Sequence, residues 1–300
     1  MRGFLNINKP AGLTSHDVVA RIRRLAGRRV KTGHAGTLDP AATGVLPVAL
    51  GSATRLIEYL SEARKGYRAT VGLGMTTTTD DAEGDILTEQ HVPLLNTGQI
   101  EEVLNAYRGD IWQVPPMYAA LHHEGQRLYD LARSGQVVER APRAVTITTL
   151  DMLDWQQQPD AQGVSPPGRA LLTLEIICSK GTYVRSLARD IGAALGCGGY
   201  LVRLERTWVG PFQLAHAVAL QPLVDGSVPL AEVLRPPETA IADWPMITLQ
   251  PTDAERVRHG LPVLLDYPSA VWLRAHTADG RLLAILRPTA TGWHPVKVLS

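Results

Sequence analysis

Between Gly33 and Gly44 the chain reads Gly-His-Ala-Gly-Thr-Leu-Asp-Pro-Ala-Ala-Thr-Gly, bringing one carboxylate, Asp39, close in sequence to one imidazole, His34. An ionised carboxylate can act as a nucleophile or stabilise a charged intermediate. Glycines at 33, 36 and 44 let the backbone turn tightly or approach a ligand closely. Pro40 pushes Asp39 out of the helical region toward an extended conformation. One reading is therefore a stiff loop that presents a carboxylate beside an imidazole. The other is a helix start, with Asp39 as N-cap and Pro40 at the first helical position. The residues alone leave both open.

The elements around this loop follow from apolar spacing. Phe4, Leu5 and Ile7 suit a short strand that ends at Asn8 and Lys9, with Pro10 and Gly12 turning the chain. Ser15 is the expected N-cap of a helix with Asp17 in its first turn, Val18, Val19, Ile22 and Leu25 on one side, and Gly27 at its end. Past the loop, 45–50 reads as a strand and 53–60 as a helix. Residues 65–73 read as a strand with Tyr67, Ala69 and Val71 on one face, and a strand tyrosine of this kind is either core or a flat face for a ligand. Residues 99–107 suit a helix. Residues 159–169 are a loop joining two strands, the second of them 170–178. The Pro-rich stretch 221–245 connects to a second module.

The chain has 300 residues, 45% hydrophobic and 20% charged, enough for a sizeable core in one large or two ordinary domains. No apolar run is long enough for a bilayer and the N-terminus lacks a secretory pattern, so the expected compartment is the cytoplasm and no membrane partner is expected. Cys178 and Cys197 form no Cys-x-x-Cys pair and read as buried free thiols before metal or redox groups. The net charge is only +1, yet Arg21, Arg23, Arg24, Arg28, Arg29 and Lys31 form a run without an acid that leads into the Gly33 loop. Such a run is either a solvated helix face or a phosphate-contacting surface, and its position favours the second. His123-Glu124 does not extend to a zinc-protease motif, the 76–85 loop lacks the spacing of a calcium-binding EF-hand, and no phosphate-cradling Gly-Lys-Ser/Thr loop occurs. The zinc-deaminase signature is absent as well.

Gly-His-Ala-Gly-Thr-Leu-Asp-Pro-x-Ala-Thr-Gly-Val-Leu-Pro resembles the catalytic motif of the tRNA pseudouridine-55 synthases, the TruB family. The resemblance makes Asp39 the essential carboxylate and His34 the residue that enters the space left by a flipped nucleotide. Further segments follow in the family's order. Asn-Lys-Pro-x-Gly-x-x-Ser resembles its opening motif and puts Lys9 near the catalytic loop, where it is assigned to substrate binding. Lys-x-Tyr maps the base-packing tyrosine onto Tyr67. The 113–129 segment resembles the opening of a mobile thumb (about 114–145) that grips the RNA loop, with Arg127 among its substrate contacts. Ala119 and His122 depart there from the family's Ser and Lys, and Thr78 stands where the 76–85 loop commonly has an Asp. Cys-Ser-Lys-Gly-Thr-Tyr-x-Arg resembles a second signature, which makes Arg185 the partner of Asp39 and Tyr183 a substrate contact. Leu204 maps onto the apolar residue lining the uracil pocket. The 246–300 segment is similar to a PUA domain, a small RNA-binding β-barrel.

The resemblance implies an α+β fold: a mixed, mainly antiparallel central sheet with flanking helices in residues 1–240, plus a small C-terminal PUA-like barrel in 246–300. It implies conversion of a uridine in the T-loop of tRNA to pseudouridine, by a monomer acting alone, without cofactor, metal or guide RNA. Attack by Asp39 at uracil C6 and at ribose C1′ both remain open. The competing readings are a guide-RNA-dependent relative, an RNA-folding factor, and a structural role for Asp39 as a helix cap.

Overall fold

Phe4, Leu5 and Ile7 are fully buried and form the centre of the first strand, β1 (Gly3–Lys9). The computed structural model describes residues 1–118, 136, 138–160, 165–167, 169–267 and 270–299, and the backbone alone of 122–123 and 126–127. The chain forms two units, one of Met1–Pro40, Gly44–Glu62 and Val209–Ser300, the other of Ala41–Thr43 and Ala63–Trp208.

In the first unit, β1 leads to α1 (Ser15–Ala26), capped by Thr14 in place of the expected Ser15. The Thr14 hydroxyl accepts the Asp17 N–H at 3.0 Å, and the Asp17 carboxylate accepts the Thr14 N–H at 2.9 Å, a reciprocal capping box. Gly27 ends the helix at φ 102°, as expected. Val18, Val19 and Ile22 pack on Leu5, Ile7, Leu46, Val48 and Leu50. Leu25, expected on that face, is 40% exposed instead. β2 (Thr32–His34) and β3 (Thr43–Leu50) follow, and β3 runs antiparallel to all of β1, Lys9 facing Gly44 and Gly3 facing Leu50. β2 also pairs antiparallel with β3, His34 facing Val48. No helix follows Pro40: a bend leads directly into β3, which removes the capping reading of Asp39. The helix expected over 53–60 is a 3₁₀ stretch, Gly51–Leu56, that passes into α2 (Ile57–Glu62).

The second unit opens with β4 (Lys65–Leu73) and the paired β5 (Met75–Thr77) and β6 (Ile86–Glu89). Then come α3 (Thr97–Asn105), β7 (Gly109–Gln113), and the short pair β8 (His122–His123) and β9 (Gln126–Arg127). β10 (Arg143–Gln157), β11 (Ala170–Cys178), α4 (Val184–Ala194) and β12 (Gly199–Val209) complete it. Its sheet has the order β12–β4–β11–β10–β7, with β4, β11, β10 and β7 antiparallel in turn. Along β11 Ala170, Leu172, Leu174, Ile176 and Cys178 are buried and alternate with more accessible residues, the period of a strand with one core face. The expected joining loop therefore lies between β10 and β11.

The chain then returns to the first unit. β13 (Phe212–Gln213) precedes β14 (Val218–Ala219), which lies parallel to β1 at Ile7 and Asn8 and makes this sheet mixed. α5 (Leu220–Val224) and α6 (Leu230–Val233) lie in and beside the Pro-rich stretch. β15 (Met246–Thr248), α7 (Pro251–Arg258), β16 (Leu273–His276), β17 (Leu282–Thr289) and β18 (Gly292–Val298) form the C-terminal part. Its strands run β15–β16–β17–β18, Val263 bridges Trp293, and no pair joins the two edges among the described residues. The sheet has its own core of Leu249, Val257, Leu273, Leu286 and Trp293. On its other side Leu282, Ile285 and Leu299 share a cluster with Phe4, Leu56 and Leu60. Trp244 stacks on Trp272 at 5.5 Å with Tyr59 edge-on, sealing this junction. Among the described residues no helix is long and apolar enough to cross a membrane.

α4 approaches β12 so closely that a Cβ on Gly192 would collide with the backbone of Gly198 and Gly199. Backbone cannot swing aside as a side chain can. Gly192→Ala is expected to lower stability by about 2 kcal/mol, read as a reduced denaturation midpoint with an unchanged denaturant slope.

Candidate active site

Asp39 is half-buried in the loop between β2 and β3, and the two residues beside it are both held. The Ser15 hydroxyl donates to the Leu38 carbonyl at 3.2 Å and accepts the Leu38 N–H at 2.9 Å. The Pro40 carbonyl accepts from the Lys9 Nζ at 3.0 Å and from the Gly12 N–H at 2.9 Å. Gly12 can make this contact because it sits at φ 81°, a conformation that disfavours side chains. Lys9, Gly12 and Ser15 thus form a cradle around Leu38-Asp39-Pro40. Ser15 is the first residue of α1, and its hydroxyl serves the loop while Thr14 serves the helix end.

Lys9 is fully buried, and its ammonium also donates to the carbonyls of Leu13 at 2.6 Å and Pro10 at 2.9 Å. Three carbonyl acceptors offset the cost of removing the charge from water. His34, on β2, meets His16 of α1 edge to face, with ring centroids 5.3 Å apart and planes at 85°.

In the second unit, Tyr67 lies on β4 opposite Ile176 of β11 and is 8% exposed. Its hydroxyl is hydrogen-bonded by Arg206 of the neighbouring β12, a guanidinium only 1% exposed. Burial pulls the Arg206 pKa down, and the tyrosine oxygen opposes that shift. Alternation puts Val202, Leu204, Arg206 and Trp208 on one face of β12. Leu204 is half-buried there, while the opposite face carries an exposed Arg68–Glu205 pair at 3.8 Å. Sequence reasoning named Leu204 but passed over Arg206. The available signal was a single cation on the apolar parity of the strand.

Arg185 sits in the first turn of α4, after Gly181 (φ 78°) has reversed the chain, and is 7% exposed. Its guanidinium meets the Asp81 carboxylate at 3.5 Å and donates to the carbonyls of Thr79 at 3.3 Å and Tyr118 at 2.8 Å. Asp81 is turned toward it by a tight polar loop. Asp80 occupies the left-handed region at φ 60°, and the Thr77 hydroxyl donates to the Asp81 carbonyl at 2.6 Å. Thr78, the departure from the family's usual Asp, accepts the Asp85 N–H at 3.1 Å through its hydroxyl, a task that needs no charge. Arg189, one turn beyond Arg185, pairs with Asp80 at 2.9 Å and donates to the Val114 carbonyl at 3.1 Å. Burial raises the Asp80 pKa, against the pull of Arg189, Arg185 and Arg140.

Tyr183 stands at the N-cap of α4, where its side chain makes no capping hydrogen bond and its backbone is held. Gln113, 2% exposed, accepts the Tyr183 N–H at 2.8 Å and donates to its carbonyl at 3.0 Å. The Ser186 hydroxyl donates to the Val114 carbonyl at 2.9 Å. One face of α4 therefore grips residues 113–118, where the segment expected to form the thumb begins. The Arg127 side chain, the His122 side chain and Ala119 lie outside the described residues. Of the other predicted residues, Lys9, His34 and Asp39 belong to the first unit, and Tyr67, Tyr183, Arg185 and Leu204 to the second. Among the described residues no cluster of three or more His, Cys, Asp or Glu suits a metal ion. Both cysteines are buried free thiols, as expected, and burial pushes Cys178 up to about 11.

Comparison with known proteins agrees along the whole chain. Residues 23–184 match the model described as TruB family pseudouridylate synthase, N-terminal domain. Residues 185–242 match the tRNA pseudouridylate synthase B C-terminal domain, and 244–300 the tRNA pseudouridine synthase II C-terminal model. A tRNA pseudouridine synthase B of Gloeobacter violaceus is 47% identical over 300 residues, covering 100% of this chain and 99% of that one. Its counterpart in Dehalococcoides mccartyi is 43% identical, covering 99% and 96%. Among solved structures, a chain of a Cbf5-Nop10-Gar1 complex superposes with a TM-score of 0.72 at 26% identity, over 99% of this chain and 85% of that one. A chain of the archaeal box H/ACA sRNP Nop10-Cbf5 complex gives 0.69 at 25% identity, over 99% and 86%.

Two outcomes follow from this geometry. Lys9→Met keeps an unbranched apolar stem in the buried site but leaves the Pro10, Leu13 and Pro40 carbonyls without their donor. It is expected to cost about 3 kcal/mol in denaturant unfolding. A thiol titrating near 11 is almost entirely protonated at pH 8, and only the thiolate reacts. Cys178 is therefore expected to resist a disulfide-exchange reagent at pH 8 in the native protein and to react on unfolding, whereas fast native reaction would mean an accessible thiolate.

Proposed function

The chain belongs to the TruB family of pseudouridylate synthases, and from that membership we propose that it isomerises the uridine at position 55 in the T-loop of tRNA, with Asp39 as the reacting carboxylate. The observation that carries this reading is the cradle that clamps both neighbours of Asp39. A carboxylate that must meet one carbon of a flipped nucleotide gains from a fixed backbone, because orientation lowers the entropic part of the barrier.

The reaction breaks the bond from ribose C1′ to uracil N1, turns the base, and rejoins it through C5. The target base must first leave its stack, at a cost of a few kcal/mol, and cations on the surrounding phosphates help supply that energy. His34 fills the space the base leaves. Arg185 favours the ionised form of Asp39, while Asp81 and the Thr79 carbonyl keep its guanidinium aimed. Tyr67 presents its ring to the uracil, with its hydroxyl set by Arg206, and is assigned the C5 proton. Leu204 lines the same pocket, and Tyr183 and Arg127 contact the RNA. Lys9 is assigned the positioning of the Asp39 loop, since its ammonium is committed to three carbonyls. Residues 1–240 form the catalytic domain and 246–300 a PUA-like module that adds RNA contacts. The relatives named tRNA pseudouridine synthase B align over the full chain, which supports action on tRNA without a guide RNA. The reading includes no cofactor and a monomer working in the cytoplasm.

Tritium release from a tRNA transcript labelled at uridine C5, without guide RNA or metal, tests the proposal. Wild type is expected to release label, and Asp39→Asn to lose at least about 10⁴-fold in rate while holding tRNA with near-native affinity. Retained turnover in Asp39→Asn would sink the assignment.

A further inference from the structure

Arg21, Arg24 and Leu25 share one face of α1, at the i, i+3, i+4 spacing that makes helix neighbours. With Val224 of α5 they line a surface cleft of about 340 Å³. The cleft exists because α5 docks through Leu220 and Leu223 onto the core that also buries Val18, Val19 and Ile22. That packing leaves Leu25 and Val224 outside the core, 40% and 37% exposed, between two guanidinium groups. Two arginines side by side repel each other, and an apolar floor in water is unfavourable. An anion with an apolar flank relieves both.

We propose that this cleft is a second RNA-backbone site, separate from the Asp39 loop, in which Arg21 and Arg24 hold one phosphodiester while its ribose lies on Leu25 and Val224. Guanidinium forks match phosphate oxygens, and their aliphatic stems extend the apolar floor. The surrounding charge has the same sign: Arg23, Arg24, Arg28, Arg29 and Lys31 are exposed, and no acidic residue lies between Asp17 and Asp39. Asp17 at the start of the helix gives its oxygens to the capping box with Thr14, and although it attracts Arg21 one turn on, Arg24 is a further turn from it. Asp225, which follows Val224, turns its carboxylate onto the N–H and hydroxyl of Ser227. A chain of net charge +1 thus concentrates cations at a formed concavity. Contacts to phosphate carry register rather than sequence, so the site reads the presence of a helical RNA arm and not its bases.

The inference rests on the RNA-modifying reading, and its test separates the two. The full-length protein is titrated with unmodified tRNA transcript over a series of salt concentrations, and steady-state turnover is followed by tritium release. Arg21→Gln/Arg24→Gln is expected to make the slope of log K against log[salt] shallower by about 1. KM is expected to rise and kcat at saturating tRNA to stay unchanged, with equal losses for transcripts of different stem sequence. Arg21→Lys/Arg24→Lys keeps the charge and is expected to restore the slope while binding more weakly than wild type. Because the substituted side chains are at the surface, the thermal midpoint of both variants should match wild type. A double Gln variant with wild-type slope and KM overturns the second site and leaves the Asp39 chemistry standing. Wild-type protein that neither binds tRNA in a salt-dependent way nor releases label overturns both.

Discussion

Holding one carboxylate still is the constraint around which the first unit is built. Asp39 lies in a loop, where backbone freedom would ordinarily be large, yet Leu38 and Pro40 are each held by two hydrogen bonds. The donors and acceptors come from the last residue of β1 and from the turn and helix start that follow it, and β1 is itself paired over its whole length with β3, the strand into which the loop runs. Burying the Lys9 ammonium is costly unless every proton finds an acceptor. Displacing the loop would remove one of its carbonyls, so the lysine resists loop motion as well as supporting it. Gly12 is required for the same reason, since its left-handed conformation allows its N–H to reach Pro40.

The second unit solves a related problem with arginines. Arg185, Arg189 and Arg206 are buried or half-buried, and each is aimed by a named acceptor: Asp81, Asp80 and the Tyr67 hydroxyl. A buried guanidinium that lost its acceptor would carry a large desolvation cost, so these pairs limit how the polar 77–85 loop, α4 and β12 can be arranged. The close approach of Gly192 to Gly198 and Gly199 fixes the spacing of α4 and β12. Gln113, Ser186 and Arg189 then connect this rigid group to the start of the segment assigned to RNA gripping.

Charge is distributed by the same economy. A strongly basic protein would bind RNA everywhere, whereas a nearly neutral one with cations gathered on α1 and acids placed beside buried arginines confines the attraction to chosen faces. The acids nearest the basic helix are engaged by hydroxyls, Asp17 by Thr14 and Asp225 by Ser227, while Asp17 also faces Arg21 one turn along the helix.

Much of this was legible from residue order. The loop glycines with Asp39-Pro40, the strand periodicity of 65–73 and 170–178, the stop at Gly27 and the burial of both cysteines depend on local chemistry, and local chemistry is written in the chain. The motif resemblance identified the family and the α+β fold, and both hold. Tertiary structure decided what depends on distant partners. Ser15 and Thr14 are both good caps, and only the position of Leu38 explains why the serine turns away from the helix. Leu25 fits the apolar stripe of α1, yet the core is already closed by Leu220 and Leu223 from far along the chain, so it faces a cleft. Asp39-Pro40 could start a helix, but pairing of β3 with β1 claims the residues that follow. Lys9 is expected near the catalytic loop as a substrate contact until three carbonyls surround it, and Arg206 stands out only once Tyr67 is placed across the sheet. Sequence determines which groups are available and which local shapes they favour; long-range packing determines which of their competing partners they meet.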